Sequence, residues 1–344
     1  MKIGTVMDDL SPRDALQRAI YAEKLGFESL WFSDHLIDTG GIRIDPWTIM
    51  GAIAASTEKI GMCSSVSDFQ RIHPAKMAHI VATLADLSNG RVSLGIGAGE
   101  AMNLIPFGID FAPPRIRTDQ LAEAIQVVKL LFRSSSSHPV FFEGKYFKLK
   151  AAWLDIPVKK APRIIVGALG GKSALEVAGK YGDGWVSWLN SPETFRKKLG
   201  IAQNAALKEG RNNDPFEASV WMYTVITYDQ KQIEKAMNRA KRGLLAEANT
   251  LRMMGFDRPK ELGLSFQNMV VSGDGGKFLE AQDSVPDELV MRCIAAGSAS
   301  EIIDKIEAFE KAGATRALIH FVGDGDENQM REFGAKVLPN FSKA

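Results

Sequence analysis

PRDALQRAIYAEKLG at residues 12–26 and FESLWF at residues 27–32 form the stretch that determines the predicted fold. The first part places apolar residues at the spacing of an amphipathic helix, and Gly26 is a typical helix end. The second part is a short apolar strand. The same helix–glycine–strand unit recurs at 172–189 and 300–322. Short apolar strands that alternate with helices indicate an α/β fold with a parallel sheet covered on both faces.

The rest of the chain repeats this alternation. Further strands are predicted at 59–66, 91–99 and 161–170, and helices at 74–89 and 114–133. About eight strand–helix units without a break in composition favour a (β/α)8 TIM barrel, with residues 1–344 as a single domain. A doubly wound open sheet is the alternative, because sequence pattern alone cannot show that a sheet closes.

Two segments interrupt the alternation. Residues 134–160 indicate a hairpin, and residues 229–290 are polar and helical without a clear strand until their end. In a barrel, both are expected to be loop insertions at the C-terminal ends of strands, where active sites form.

Composition excludes several classes of protein. The 42 basic and 41 acidic residues give a net charge of +1, which argues against a protein built to bind nucleic acid or an acidic membrane surface. Cys63 and Cys293 are too few for a disulfide framework or a cysteine zinc site, and the five histidines are scattered, so no metal site is predicted. The stretch MKIGTVMDDL turns acidic before an apolar region develops, so we expect no signal peptide, and no stretch is apolar enough to predict a membrane-spanning helix. We expect a cytoplasmic protein.

Polar residues follow two of the predicted strands. Asp34 and His35 follow the first, and a carboxylate beside an imidazole suits proton transfer near neutral pH. The alternative is a turn cap with a bystander histidine. Glu100 follows the glycine-rich strand 91–99 and is either an acid or base or a first-turn helix carboxylate. The glycines do not form a dinucleotide-binding fingerprint, and we expect them to mark close approach to a flat ligand.

Two further places are less specific. Small residues at 63–65, before Ser67, allow close approach to the backbone or simply tight packing. Gly170 and Gly171 precede a helix that starts near Ser173, and backbone N–H groups at a helix N-terminus bind phosphate. An ordinary turn capped by Ser173 is the alternative there.

These motifs together resemble a known family. WFSDH (31–35), the stretch 71–103 ending in GAGEAMN, FEGKYFKL (142–149) and GGKSALEVAGKYGDG (170–184) resemble the bacterial luciferase-like superfamily, in its branch that uses coenzyme F420. F420-dependent secondary alcohol and glucose-6-phosphate dehydrogenases look most similar, and methylenetetrahydromethanopterin reductases look more distant.

The resemblance implies an enzyme, an oxidoreductase that transfers hydride between C5 of coenzyme F420 and a small-molecule substrate, in a homodimer. His35 and Glu100 match catalytic positions, with His35 taking the proton of the substrate hydroxyl. A non-prolyl cis peptide is expected at Ser64–Ser65. The implied cofactor-binding residues are Asp34, Ser64, Ser65, Ser67, Ala98, Gly99, Asn103, Gly170, Gly171, Ser173 and Ala174.

The implied substrate site departs from the sugar-phosphate enzymes. Trp188 and Ser191 stand where those enzymes have Thr and Lys ligands, and only Arg292 matches one of their phosphate ligands. Asp8 approximately matches a family acid near the end of the first strand. A secondary alcohol or ketone, or a sugar-type hydroxyl, is therefore expected as substrate. The alternatives are a methylenetetrahydromethanopterin reductase-like activity and an FMN-dependent monooxygenase on the same fold.

Overall fold

Eight parallel strands close into a barrel in the computed structural model, which describes residues 1–37, 41–211, 214–258, 275–322 and 325–341. Each strand pairs with the next along the chain, and the eighth pairs with the first through Arg316–Ile319 against Lys2–Thr5. The predicted TIM barrel is confirmed, and the open doubly wound sheet is wrong. The barrel strands are β1 (Lys2–Val6), β2 (Ser29–Phe32), β3 (Gly61–Ser64), β4 (Val92–Gly97), β5 (Ile164–Gly167), β6 (Gly184–Trp188), β7 (Glu217–Ile226) and β8 (Arg316–Phe321).

Helices with clear start signals cover the outside of the barrel. Ser11, Asp45 and Ser191 each accept a hydrogen bond from a first-turn backbone N–H, and a proline follows each of them. Gly26 ends the first helix at φ +93°, a conformation that favours glycine. The outer helices are Pro12–Leu25, Pro46–Ser56, Pro74–Leu87, Pro114–Leu131, Lys172–Tyr181, Pro192–Lys208, Ala299–Lys311 and Asp326–Lys336.

The barrel interior is filled by side chains. Val6, Trp31, Cys63, Ile165, Val186 and Leu318 form a buried cluster inside it. The larger apolar core lies between the strands and the helices. Arg316 donates from Nε to Glu217 at 3.0 Å and from Nη1 to Ser29 at 2.7 Å at the N-terminal ends of the strands. The interior is therefore packed, and the open end is the C-terminal one.

The two predicted insertions differ in position. Strands Val140–Glu143 and Lys148–Ala152 form an antiparallel hairpin within 134–160. This hairpin follows helix Pro114–Leu131 and precedes β5, so the expectation that it follows the C-terminal end of a strand is wrong. Its turn is held by the Glu123 carboxylate, which accepts from the backbone N–H groups of residues 145–147.

The second insertion does follow the C-terminal end of β7. Its described helices are Gln230–Ala246, Ala248–Met253, Gly275–Ala281 and Asp287–Met291, and residues 259–274 lie outside the described part. Strand Ala295–Gly297 then pairs with β7, as Ser67–Asp68 pairs with β4. The insertion buries its own apolar cluster, which includes Leu244, Leu251 and Phe278. Over the described ranges, no helix is both long and apolar enough to cross a bilayer.

Candidate active site

A cavity of about 830 Å³ opens at the C-terminal ends of the barrel strands. All eight strands, or the residues that directly follow them, contribute to its lining. The structure brings nine of the residues predicted from sequence into this lining: Asp34, His35, Ser65, Ala98, Gly99, Glu100, Asn103, Ala174 and Trp188. Three separate sequence motifs, the segment after β3 and the end of β6 therefore meet at one site.

His35 is held by a neighbour that comes from a different strand end. Asn103 is 2% exposed, and its Nδ2 lies 2.8 Å from His35 Nδ1. The Asn103 Oδ1 accepts the backbone N–H of Leu36 at 2.8 Å, which fixes the orientation of the amide. Nδ2 is therefore the donor and His35 Nδ1 the acceptor, and the neutral ring carries its proton on Nε2.

Glu100 completes this group. Its Oε2 lies 3.4 Å from His35 Nδ1 and 3.4 Å from Asn103 Nδ2. It is the N-terminal flanking residue of the short helix Ala101–Leu104 and makes no cap hydrogen bond through its side chain. The alternative that Glu100 acts as a first-turn carboxylate is thus not favoured. Its carboxylate can accept a hydrogen bond from the Nδ1–H of His35 when the imidazole is charged.

Asp34 does not orient His35. Arg71 donates to the Asp34 side chain at 3.1 Å and to its backbone oxygen at 2.7 Å, and also to Asp68 at 2.5 Å. Burial raises the pKa of Asp34, and the charge of Arg71 and the nearby Ser67 hydroxyl oppose this shift. Its second oxygen, Oδ2, is buried and accepts no hydrogen bond from the described residues. A buried acceptor without a partner is costly, so this atom suits a ligand N–H.

Asp8, at the end of β1, is a second acid in the lining. Ser33 donates to it from Oγ at 2.7 Å and from its backbone N–H at 3.3 Å. Burial raises the pKa of Asp8, while the charge of Arg43 and the Ser33 donors lower it. The approximate family match at Asp8 therefore places a carboxyl group directly beside the Ser33–His35 turn.

Glycines of β4 and β5 leave space for the neighbouring segment Ser64–Val66. A Cβ on Gly95 would lie 1.8 Å from the backbone oxygen of Ser64, and one on Gly97 or Gly167 would lie 2.6 or 2.7 Å from the Val66 side chain. Gly95 packs against protein, whereas Gly97 also lines the cavity, so the expected approach to a flat ligand stays a prediction. The glycines admit the segment Ser64–Val66, and Ser65 and Val66 then line the cavity.

Ser64 and Ser67 have protein partners. Ser64 Oγ donates to the Gly95 backbone oxygen at 2.8 Å, and Trp47 Nε1 donates to Ser67 Oγ at 3.1 Å. Neither residue lines the cavity. The structure has its cis peptide bond between Ser65 and Val66, one bond beyond the predicted position.

The loop after β4 is fixed from behind. Arg117 donates from Nη1 to the backbone oxygens of Ala98 and Gly99 at 3.0 and 2.8 Å. Gly99 adopts φ +77°, and a Cβ there would lie 2.8 Å from the Gln70 side chain. These contacts hold Ala98 and Gly99 in the lining beside Glu100.

The glycine loop after β5 leads into helix Lys172–Tyr181. Gly171 flanks the first turn, and no side chain caps it, so the alternative of a Ser173 cap is wrong. Gly170, Gly171 and the exposed Ser173 do not line the cavity, whereas Ala174 does. The first N–H groups of this ten-residue helix have no side-chain acceptor and can bind an anion.

A buried lysine supports this loop. Lys198 is 0% exposed and donates to the Leu169 backbone oxygen at 2.6 Å and to Thr250 Oγ1 at 2.8 Å. Burial lowers its pKa to about 8, and burial raises the pKa of the nearby Glu247 to about 7. The loop is thus tied to the insertion that follows β7.

The predicted substrate residues separate in the structure. Trp188 lines the cavity and packs edge-on against Tyr223, with ring centroids 6.1 Å apart. Arg292 does not line the cavity and pairs with Glu193 at 2.9 Å on the surface. Ser191 is the buried N-cap of helix Pro192–Lys208. The match of Arg292 to a substrate ligand stays a prediction that this arrangement does not favour.

Sequence reasoning missed several residues of the lining. Arg71 follows β3, Tyr223 and His320 come from β7 and β8, and Arg239 and Arg242 come from helix Gln230–Ala246. His320 has the same strand parity as the interior Leu318, two residues before it. That period of two is the signal that could have found it.

Comparison with known proteins identifies the family. The model of the luciferase-like monooxygenase family matches residues 3–316. The chain belongs to the luciferase-like monooxygenase family, so the resemblance predicted from its sequence is confirmed.

The more particular similarities are to F420-dependent enzymes. The F420-dependent glucose-6-phosphate dehydrogenase of Amycolatopsis mediterranei (strain U-32) is 30% identical over 98% of this chain and 98% of its own length. A solved F420-dependent secondary alcohol dehydrogenase in complex with an F420-acetone adduct has a TM-score of 0.81 and 25% identity, covering 98% of both chains. The coenzyme F420-dependent tetrahydromethanopterin reductase from Methanopyrus kandleri shares the fold, with a TM-score of 0.74 and 22% identity over 99% of both chains.

Proposed function

We propose that this protein is an F420-dependent oxidoreductase. It transfers hydride between C5 of the deazaflavin and a secondary alcohol or ketone, or a sugar-type hydroxyl. The observation that carries the proposal is His35, held by Asn103 at 2.8 Å and faced by Glu100 at 3.4 Å on the lining of the cavity. The similarity to F420-dependent dehydrogenases supports the choice of coenzyme.

The residues present fit such a coenzyme. The cavity has the volume of a cofactor site. Asp34 Oδ2 offers a buried acceptor for a ring N–H, Ser65, Val66, Ala98 and Gly99 provide a wall, and the uncapped helix after Gly171 offers N–H donors to a phosphate. When bound, a 5-deazaflavin supplies a carbon that accepts or donates hydride.

His35 and Glu100 handle the proton. In the reductive direction, charged His35 donates from Nε2 to the carbonyl oxygen while its Nδ1–H turns to Glu100, whose Oε2 is 3.4 Å away. In the oxidative direction the ring proton first moves to Nδ1, which faces Glu100 Oε2 at 3.4 Å, so that Nε2 can take the proton of the substrate hydroxyl and the Glu100 carboxylate balances the charge of the ring. General acid–base catalysis of this kind contributes about 10²–10⁴-fold to the rate.

A paired binding titration with oxidised F420 and FMN tests the coenzyme. We expect tight binding of F420 and weak binding of FMN, followed by turnover in a screen of secondary alcohols, ketones, sugar phosphates and methylene-pterins. Preference for FMN would contradict the proposal and support an oxygen-dependent monooxygenase. Turnover of a methylene-pterin alone would support the reductase-like alternative.

A cytoplasmic location and a homodimeric state belong to the same proposal. Both cysteines are free and buried, which suits a reducing compartment. Sedimentation of the purified protein at two concentrations measures its oligomeric state, and a monomer at both would contradict the dimer.

A further inference from the structure

One wall of the cavity carries four cationic side chains. Lys235, Arg239 and Arg242 line the cavity from helix Gln230–Ala246, at positions i, i+4 and i+7, which share one helix face. Arg43 joins them from the segment after β2. These cations come from the insertion and from a loop, so they are not part of the barrel that holds the family motifs.

The arginines of this wall differ in their acidic partners. Asp9 accepts from both Arg43 at 2.6 Å and Arg239 at 3.2 Å, and the charge of Arg43 also acts on Asp8. Arg242 donates to the neutral Gln282 amide at 2.9 Å, and no carboxylate of the described residues lies within ion-pair distance of it. A partly buried cation without a carboxylate is unfavourable unless an anion joins it.

The floor of the same wall supplies a neutral donor. His320 is 5% exposed, and its Nδ1 accepts from Trp221 Nε1 at 3.1 Å. Burial, with the charges of Arg239 and Arg43, holds the pKa of His320 well below its usual value. The ring is therefore neutral with its proton on Nε2, and it can donate a hydrogen bond without adding charge.

Aromatic side chains pack beside this wall. Trp188 packs on helix Gln230–Ala246, because a Cβ on Gly243 would lie 2.7 Å from its ring. Its edge meets Tyr223, whose ring lies 5.1 Å from that of His320. A ligand in this cavity therefore meets aromatic surface beside the arginines.

We propose that this wall is an anion subsite of the substrate pocket. It takes a hydroxy or oxo compound that carries a carboxylate or phosphate, which Arg239 and Arg242 bind while His320 donates to it. The inference rests on the proposed function, since it assumes that the hydroxyl or carbonyl group reacts at His35. Because Arg292 lies outside the cavity, this subsite uses residues other than the matched family ligand.

Two alcohols with the same four-carbon skeleton test the subsite. 2-Butanol and 3-hydroxybutyrate share a secondary hydroxyl, and only the second carries a carboxylate. We titrate each into the protein saturated with F420 and measure the heat of binding. 3-Hydroxybutyrate should bind at least about tenfold more tightly, the size expected of one charge-assisted interaction. Equal binding of the two alcohols, or binding of neither, would overturn the proposal.

Matched variants locate the effect. Arg242→Gln should remove the preference for 3-hydroxybutyrate and leave the affinity for 2-butanol within about twofold. Arg133→Gln, which makes the same change at an exposed site after helix Pro114–Leu131, should retain the preference. Gln282→Ala removes the amide that binds Arg242 but keeps the charge, so it should also retain it. The same loss in all three variants would show a structural effect and refute the subsite.

The cofactor could be the source of the anion instead. If the arginines bind the anionic tail of F420, Arg242→Gln will weaken F420 but not the tail-free deazaflavin, and this outcome would overturn the proposal. If F420 does not bind at all, the proposed function fails on its own. Titration of inorganic phosphate into the cofactor-free protein then still tests the subsite. The proposal requires that Arg242→Gln binds phosphate more weakly than the unmodified chain.

Discussion

The substitution Lys198→Met tests whether Lys198 positions the loop after β5 or only stabilises the fold. Lys198 is fully buried and ties the Leu169 backbone oxygen to Thr250 of the insertion. A Cβ on Gly170 would lie 3.2 Å from its Cε, so the lysine also packs directly behind the glycine loop. Methionine has a similar length and can fill the same space, but it donates no hydrogen bond.

The expected loss of stability is small because two effects oppose each other. Burial lowers the pKa of Lys198 from 10.5 to about 8, and at about 1.4 kcal/mol per unit the buried charge costs about 3 kcal/mol. Its two hydrogen bonds contribute about 1.5–3 kcal/mol each. Glu247, whose raised pKa of about 7 already favours its neutral form, can take a proton when the lysine is gone. We expect the free energy of unfolding to fall by about 3 kcal/mol or less.

The affinity for F420 should fall more clearly. Without Lys198 the Leu169 oxygen loses its shorter hydrogen bond, at 2.6 Å, and keeps only the one from the Thr250 hydroxyl at 3.2 Å, so the loop proposed to bind the phosphate is held less firmly. A loss of about tenfold corresponds to about 1.4 kcal/mol, the size of one hydrogen bond. Binding of the tail-free deazaflavin, which lacks the phosphate, should be unchanged.

The assay is a fluorescence titration of both deazaflavins, with urea unfolding measured in parallel. Lys208→Met is the matched control, because Lys208 is exposed at the far end of the same helix. Equal weakening of both deazaflavins, or unchanged affinity for F420, would refute the reasoning. A large loss of stability with normal affinity would show that Lys198 serves the fold alone.

Three further predictions concern catalysis, packing and pH. His35→Ala should lower kcat by about 10²–10⁴-fold while the Kd of F420 changes less than about threefold, and unchanged turnover would exclude His35 as the proton carrier. Gly95→Ala should destabilise by about 1–3 kcal/mol or more in urea unfolding, because its Cβ would lie 1.8 Å from the Ser64 backbone oxygen. Gly200→Ala, where nothing lies within 4 Å, is its control and should be neutral or stabilising. Burial raises the pKa of Glu247 from 4.5 to about 7, so between these values the native state binds more protons than the unfolded state and stability falls as pH rises. Glu247→Gln should remove this decline, and a decline that persists in the variant would assign it to another group.

The fold was predictable because its signals are local. Helix Pro12–Leu25 and strand Ser29–Phe32 lie where residues 12–32 predicted them, and Gly26 ends the helix as expected. Closure depends on the pairing of β8 with β1, more than 300 residues apart in sequence, and no local pattern encodes it. The misplaced hairpin at 134–160 has the same cause, since the end of the barrel at which a segment lies depends on the element before it.

The site residues that the sequence predicted are likewise those with a local sequence signal. Asp34, His35 and Glu100 follow strand ends directly, so a parallel barrel brings them together. His320 and Tyr223 depend on which strand residues face inward, and Arg239 and Arg242 depend on how 229–290 folds over the cavity. Arg292 is the opposite case. A motif match predicted it at the substrate site, but in the structure it follows the insertion and forms an ion pair with Glu193.

Because the insertion carries the arginines of the proposed subsite, a substitution of Trp188 alone should not remove the preference for anionic substrates. The sequence resemblance predicts that Trp188 takes the place of a threonine of the sugar-phosphate enzymes, and Trp188 packs on the helix that carries Arg239 and Arg242. Trp188→Thr should enlarge the cavity and admit bulkier alcohols, since about 100 Å² or more of aromatic surface is lost. The arginines remain, so the preference for 3-hydroxybutyrate over 2-butanol should persist within about threefold, as measured by the same heats of binding. If the preference disappears with Trp188 while the melting temperature is unchanged, the tryptophan and not the charge selects the substrate.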